Sequence, residues 1–132
     1  MIEAEYGGIY AVFDDPKNPI IKFPEDNISA VQRKFHSQRY VLVIQADALN
    51  KAHHLHSVLV IPLSHRGTNT PSTVVIHPQF SKNIPNESSV ALVHLTQPIL
   101  KTFLIRKVAQ LDKNGEEMTK IRAVFCRIVG LI

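Results

Sequence analysis

Arg39 and Ser64 stand at the borders of two apolar runs and have the chemistry to handle a phosphate. Arg39 opens the run Arg39–Ile44 (RYVLVI), and Ser64 comes shortly after the run Ser57–Ile61 (SVLVI), which Pro62 is expected to end. Unbroken apolar runs of this length predict buried strands, so each polar group is expected at a strand end, on the rim of the core. A guanidinium there can grip a phosphate with two parallel hydrogen bonds, and a hydroxyl can donate another.

Both residues also have an ordinary structural interpretation. Arg39 could form a salt bridge with one of three acidic residues, which are Asp14, Asp15 and Asp47. Ser64 could hydrogen-bond its own backbone in a turn, which is the commoner role of such a serine. The adjacent His65 could carry a proton near neutral pH, although a surface histidine is the simpler interpretation. Taken singly, each position favours the structural role.

Three neighbouring histidines, His53, His54 and His56, raise the question of a metal site. No cysteine or acidic residue lies nearby at a zinc-like spacing, and tetrahedral zinc sites use three or four protein ligands. We therefore predict no metal. The sequence also lacks a GxSxG elbow, a P-loop, an HExxH motif and a Rossmann glycine pattern. No cofactor and no serine-hydrolase activity are predicted.

The composition is that of an ordinary globular domain, and residues 1–132 are expected to form a single one. The chain has 15 basic and 11 acidic side chains, for a net charge of +4, which favours encounter with polyanions without proving it. The one cysteine, Cys126, cannot form an internal disulfide. Neither a signal peptide nor an apolar run long enough to span a membrane is visible. A cytoplasmic protein without membrane contact is the expectation.

Six segments have the β-branched and aromatic composition of strands. They are Tyr6–Phe13, Arg39–Ile44, Ser57–Ile61, Thr73–Ile76, Ser89–Val93 and Phe103–Leu111. Residues 14–38 form a long loop, expected to be functional or mobile, in which only Ser29–Phe35 could form a short helix. The end of the chain changes to a helical period, with an apolar stripe formed by Met118, Ile121, Phe125, Ile128 and Ile132. The predicted fold class is mainly β, a small barrel of bent antiparallel strands with a C-terminal α-helix.

The order of these segments resembles the MazF/PemK family of bacterial toxins. The resemblance is carried by the opening strand after Gly7, the run that begins at Arg39 with the segment Asp47–Asn50 behind it, and the run that leads to Ser64. Gln97 and the closing amphipathic helix complete it. No single motif is specific, and the resemblance rests on the ordered set, which spans nearly the whole chain.

The resemblance implies an SH3-like barrel, a homodimer, and metal-independent cleavage of single-stranded RNA that a cognate antitoxin blocks. The family's functional arginine falls on Arg39, its functional hydroxyl, usually a threonine, on Ser64, and its strand-end glutamine on Gln97. RNA supplies its own nucleophile, the 2′-hydroxyl. The protein therefore has only to position the RNA, remove the proton of this hydroxyl and stabilise the charge that develops on the phosphate. His65 or His36 is the candidate proton carrier. The residues expected along the RNA are Lys22, Arg33, Lys34, His36, Tyr40, Arg66 and Gln97.

Several positions depart from the family pattern and leave two alternatives open. Tyr40 replaces the usual proline, Gln45 the usual serine and Thr96 the usual acidic residue, and Pro98 follows Gln97. One alternative is a non-catalytic relative that binds without cutting. The other is a CcdB-like toxin that poisons DNA gyrase on the same barrel. The second is disfavoured because the chain has no tryptophan, a residue usual at the helix end of those toxins.

Overall fold

The computed structural model describes residues 2–24, 37–64, 68–76 and 90–132. These residues form a seven-stranded sheet and two α-helices. The strands are β1 (Gly8–Phe13), β2 (Gln38–Val43), β3 (Ser57–Ser64), β4 (Thr73–Val75), β5 (Val90–Leu92), β6 (Gln97–Leu100) and β7 (Arg106–Gln110). The helices are α1 (Asp47–Asn50) and α2 (Glu116–Ile128), and single 3-10 turns lie at Val93–Leu95 and Lys101–Phe103.

The sheet is antiparallel throughout and bends around β3. Its strand order is β4-β5-β3-β2-β1-β7, and β6 lies beside β3 off this path. The first half of β3 pairs with β6 and its last two residues pair with β5. Within the described residues the order starts at β4 and ends at β7, so the ladder is not closed. The mainly-β, barrel-like fold with a C-terminal helix is confirmed.

Each face of the sheet covers a separate apolar core, as the uninterrupted apolar runs predict. The helix-side core joins residues such as Ile9, Leu42 and Ile61 to Met118 and Ile121 of α2. The opposite face carries a second core, which is formed by residues including Tyr10, Val12, Val41, Val43, Val58, Val60, Ile21 and Phe23. Alternate residues of β1, β2 and β3 therefore point into different cores.

Pro62 does not end its strand, contrary to the prediction, because β3 continues through it to Ser64. The Ile44 N–H donates to Leu59 O at 3.0 Å, which makes Ile44–Leu59 a hydrogen-bonded pair of the β2–β3 ladder. Because hydrogen-bonded and non-hydrogen-bonded pairs alternate, Val41–Pro62 is a non-hydrogen-bonded pair, and the Pro62 nitrogen points away from β2. On that side the pairs with β6 end at Val60, and those with β5 begin at Leu63. The missing N–H falls in this gap and costs no ladder bond.

The chain between β5 and β7 differs most from the sequence-based expectation. Gln97–Leu100 forms a strand that was not predicted from the sequence, because Pro98 lowers its apparent strand propensity. Pairing on one edge of β3 tolerates this proline, which lies opposite Leu59. The predicted strand Phe103–Leu111 is shorter than expected: a 3-10 turn ends at Phe103, and β7 spans Arg106–Gln110.

Part of the long loop is packed against the sheet. Ile21 and Phe23 are buried and belong to the second core, so their apolar character reflects burial within a loop. The predicted helix Ser29–Phe35 lies outside the described residues. The buried section brings Lys22, which stands between these two side chains, to the edge of the same face.

The C-terminal helix packs on the sheet, but its apolar stripe is shorter than predicted. Met118, Ile121 and Val124 are buried, whereas Ile128 and Ile132 are exposed. The helix ends at Ile128, because Gly130 takes a φ of 78°, the left-handed conformation that closes helices. No helix in the described part of the chain combines the length and apolarity needed to cross a membrane.

A charge network joins the start of β1, α1 and the loop before α2. The Lys113 ammonium lies 2.9 Å from Asp47 and 3.0 Å from Glu5, and Lys107 lies 2.8 Å from Glu5. Asp47 also accepts a hydrogen bond from the Tyr6 N–H at 2.8 Å. That backbone donor and the Lys113 ammonium lower the pKa of Asp47. Folding therefore favours the ionised carboxylate.

Asp47→Ala is expected to lower the unfolding free energy at pH 7 by about 1.5–3 kcal/mol, the usual value of hydrogen bonds to a charged group. Because folding lowers the pKa of Asp47, its contribution is complete above the unfolded-state value of about 3.9 and is lost as the pH falls through the lower folded-state value. Urea unfolding from pH 7 to pH 3 tests this. The exposed Glu3→Ala is the control, and a difference between parent and Asp47→Ala that stays constant down to pH 3 contradicts it.

Candidate active site

Arg39 and Ser64 come to the same end of the sheet. The recorded pairs of β2 and β3 are Val41–Pro62, Leu42–Ile61 and Val43–Val60. Arg39 lies two residues before Val41 on β2, and Ser64 lies two residues after Pro62 on β3, so the two residues stand at the same end of neighbouring strands. Both residues are half-buried, and their parity along the strands directs them to the face of the second core.

The Arg39 guanidinium is held by a carboxylate and an aromatic ring. Its Nε donates to Asp14 Oδ2 at 3.2 Å, with 15% of the Arg39 side chain and 1% of the Asp14 side chain exposed. Its Cζ lies 4.7 Å from the centre of the Phe23 ring, within the range of a cation–π contact. The salt bridge that the sequence left open is thus formed with Asp14, and it fixes the plane of the guanidinium. Arg39, Asp14 and Ser64 each make further contacts.

Asp14 reaches Arg39 because of the alternation along β1. Tyr10 and Val12 point into the second core, and Asp14, two residues beyond Val12, continues on that side. Val12 is paired with Arg39, which places the carboxylate beside the guanidinium at the end of the strand. In the sequence-based prediction Asp14 was one of three acidic candidates, and the alternation along β1 was the signal that could have selected it.

Gln97 holds the loop beside this site. Its side-chain amide donates to Lys22 O at 3.0 Å and accepts from Lys22 N–H at 2.8 Å. These two hydrogen bonds resemble those between paired strand residues. They hold the backbone next to Phe23, whose ring packs against the Arg39 guanidinium. Gln97 also donates to Leu95 O at 3.0 Å. Lys22 itself is exposed, so its ammonium is on the surface near the site.

The departures from the family pattern occupy ordinary structural positions in the fold. Tyr40 points to the opposite face and packs against the helix-side core. Thr96 donates from its hydroxyl to Val93 O at 2.6 Å and so closes a 3-10 turn, and Pro98 is exposed on β6. Gln45 is buried and donates to Asn50 Oδ1 at 3.0 Å. The contact expected between Tyr40 and RNA stays a prediction, and it would be made from the face opposite to the Arg39 guanidinium.

Several candidate residues lie outside the described residues. They are Arg33, Lys34, His36, His65 and Arg66. The proton carrier and most of the basic residues expected along the RNA therefore remain predictions from the sequence.

The histidines that the structure describes lie away from this strand end. His53 and His56 line a groove of about 710 Å³ beside Leu100, at the end of β3 opposite to Ser64. His94 is exposed, with Nδ1 3.4 Å from Ser72 O. Within the ranges that the structure describes, no three histidine, cysteine or acidic side chains converge as they would around a metal ion.

The described residues thus form a bent, barrel-like antiparallel sheet covered by a C-terminal helix, with an arginine and a hydroxyl at the ends of neighbouring strands. Residues 21–129 match the family described as PemK-like, MazF-like toxin of type II toxin–antitoxin system. The chain belongs to this family, which favours the MazF/PemK interpretation over the CcdB-like one. No curated protein sequence matches the chain.

Solved structures show the same fold at low sequence identity. An endoribonuclease in complex with its cognate antitoxin from a mycobacterial species has 14% identity and a TM-score of 0.65, over 96% of this chain and 95% of that one. The MazE–MazF structure (Form-II) from Deinococcus radiodurans has 14% identity and a TM-score of 0.68, over 100% of both chains. Mycobacterium tuberculosis toxin MazF-mt6 has 20% identity and a TM-score of 0.58, over 71% of this chain and 88% of that one.

Proposed function

We propose that this toxin is a metal-independent endoribonuclease that cuts single-stranded RNA, with mRNA as its cytoplasmic target. The observation that carries the proposal is the pair Arg39 and Ser64, brought to neighbouring strand ends on one face in a chain of the MazF/PemK family. Two structures of similar fold, both from mycobacterial species, are of an endoribonuclease, which supports the reaction class. The anchored guanidinium supports a phosphate-binding role, because a fixed fork loses little freedom on binding.

In the proposed reaction the RNA supplies the nucleophile. The 2′-oxygen forms a bond to the adjacent phosphorus as the bond from phosphorus to the 5′-oxygen breaks, which leaves a 2′,3′-cyclic phosphate and a 5′-hydroxyl. Arg39 neutralises the charge that builds on the phosphoryl oxygens, and the Ser64 hydroxyl donates to the same phosphate. One carrier takes the proton of the 2′-hydroxyl and another gives a proton to the 5′-oxygen. His65 and His36 are proposed for these steps.

The proposed partners follow from the family and the charge of the chain. A cognate antitoxin is proposed to neutralise the toxin, supported by the MazE–MazF complex of similar fold. The basic residues Lys22, Arg33, Lys34 and Arg66 are proposed to follow the RNA backbone, with Gln97 at the strand end. A homodimer is proposed as the active form, and a light-scattering mass of one chain contradicts it. The non-catalytic alternative predicts RNA binding without cleavage, so a cleavage assay separates it from the proposed function.

Incubation of the purified protein with a mixed single-stranded RNA in EDTA is expected to produce new ends, mapped by sequencing. Ser64→Ala is expected to lower the cleavage rate about 100-fold, the usual effect of losing one donor to a developing oxyanion. Ser64→Thr keeps the hydroxyl and is the matched control, expected to retain most of the rate. Intact RNA with the parent protein contradicts the proposed function, and a Ser64→Ala rate equal to the parent's removes Ser64 from the site.

A further inference from the structure

Phe13 is a large aromatic side chain at the end of β1 that is 58% exposed. The residues on either side of it are buried: Val12 belongs to the second core, and Asp14 binds Arg39. Phe13 therefore projects from the face opposite to the guanidinium, beyond the apolar contacts that hold its strand. A single exposed ring is common on protein surfaces, so its surroundings decide what it can do.

One amide and one guanidinium share the face of the sheet from which Phe13 projects. Phe13 is paired with Gln38, while Ala11, two residues earlier on the same face, is paired with Arg106 on one side and Tyr40 on the other. Opposed residues of antiparallel strands share a face. The Arg106 guanidinium donates to Gln38 Oε1 at 3.0 Å, so it spans β1 next to Phe13. The result is an exposed aromatic surface flanked by an amide and a positive charge, which we name the Phe13 platform (Phe13, Gln38 and Arg106).

The Phe13 platform adjoins the candidate active site along two strands. Phe13 immediately precedes Asp14 in β1, and Gln38 immediately precedes Arg39 in β2. A chain held at Arg39 reaches the platform, on the opposite face, by passing around the end of these two strands. The platform and the phosphate-binding pair thus lie on the two sides of one strand end.

We propose that the Phe13 platform stacks an unpaired base of the single-stranded RNA bound at the candidate active site, with Arg106 binding a phosphate of the same strand. The proposal rests on the proposed function for its choice of RNA. Aromatic rings beside cations are the usual platform for unpaired bases, because every base presents a π-face. A second protein chain is a poorer occupant. A stable interface buries about 800 Å² from each partner, whereas this surface offers one exposed ring beside charged and amide groups.

Binding is to be measured with a deoxyribose oligonucleotide that lacks the 2′-hydroxyl and carries 2-aminopurine as the base reporter. Stacking on Phe13 is expected to quench the reporter, and Phe13→Ala is expected to weaken binding about tenfold and abolish the quenching. Phe13→Trp keeps an aromatic face and is expected to preserve both. Arg106→Gln is expected to weaken binding and to reduce the slope of log affinity against log salt by about 1. Leu49→Ala, at an exposed apolar residue of α1, is the matched control.

The outcomes separate this inference from the proposed function. Parental affinity and quenching in Phe13→Ala overturn the platform, as does a parent protein that does not bind the oligonucleotide. A Phe13→Ala variant that changes only its mass in light scattering overturns it too, and identifies a protein interface. If the parent leaves RNA intact while Phe13→Ala still weakens binding and quenching, the proposed cleavage fails and the platform stands. Normal cleavage with unchanged binding in Phe13→Ala removes the platform alone.

Discussion

Arg39→Lys is expected to lower the RNA cleavage rate at least 100-fold while the protein keeps a thermal midpoint close to the parent's. Lysine retains a positive charge for the buried Asp14 carboxylate, which lies 3.2 Å from Arg39. It cannot reproduce the planar fork that donates two parallel hydrogen bonds to a phosphate. The expected loss corresponds to removing a main donor to the developing charge. Initial rates on a fluorescent single-stranded RNA in EDTA, with melting curves of the same samples, measure both quantities.

The choice of lysine matters because Arg39→Ala is ambiguous. Alanine would leave Asp14, whose side chain is 1% exposed, without the charge beside it, and the cost of an unpaired buried charge would lower stability and activity together. Arg122→Lys on α2, where the parent arginine donates to Tyr6 Oη at 2.9 Å, is the matched control and is expected to cut RNA normally. Cleavage by Arg39→Lys at the parental rate would contradict a role for the guanidinium fork.

Local pattern was enough to predict the strands that hold the site. The runs that begin at Arg39 and Ser57 are apolar on both faces, and each is indeed buried on both, under α2 on one side and under the loop residues Ile21 and Phe23 on the other. Pro62 was misjudged because the harm done by a missing N–H depends on whether that nitrogen faces a partner. Only the register against β2, β5 and β6 answers this, and a register is not a local property.

The site could be predicted only in part for the same physical reason. Arg39 and Ser64 are adjacent to recognisable strands, and the ordered family pattern selects them. Three other features of the site join residues far apart in sequence. They are the Asp14–Arg39 ion pair, the Phe23 ring under the guanidinium and the contact of Gln97 with Lys22, whose partners are 75 residues apart. Propensity and periodicity carry no information about such contacts. The exposed Phe13 was hidden in the same way, since its strand reads as apolar throughout.

Asp14→Ala is expected to lower the unfolding free energy by about 3 kcal/mol, in the range measured when one member of a buried ion pair is removed. The carboxylate is almost completely buried and lies 3.2 Å from the Arg39 Nε. Its loss leaves the guanidinium without the group that fixes its plane. We therefore also expect kcat to fall about tenfold per folded molecule, with a smaller change in KM, because a misplaced donor weakens the transition state more than the ground state.

The kinetic split distinguishes a positioning residue from a purely structural one. Asp14→Asn keeps an oxygen acceptor at the same place and loses the charge, so it is expected to recover part of kcat and part of the stability. Asp15→Ala, at an exposed neighbour in the same turn, is the matched control for the local backbone and is expected to change neither. A variant Asp14→Ala that is less stable yet has the parental kcat at a temperature where it is fully folded would mean that Asp14 stabilises the strand end without orienting Arg39. In that case the Phe23 ring, 4.7 Å from the guanidinium, is the contact that sets its plane.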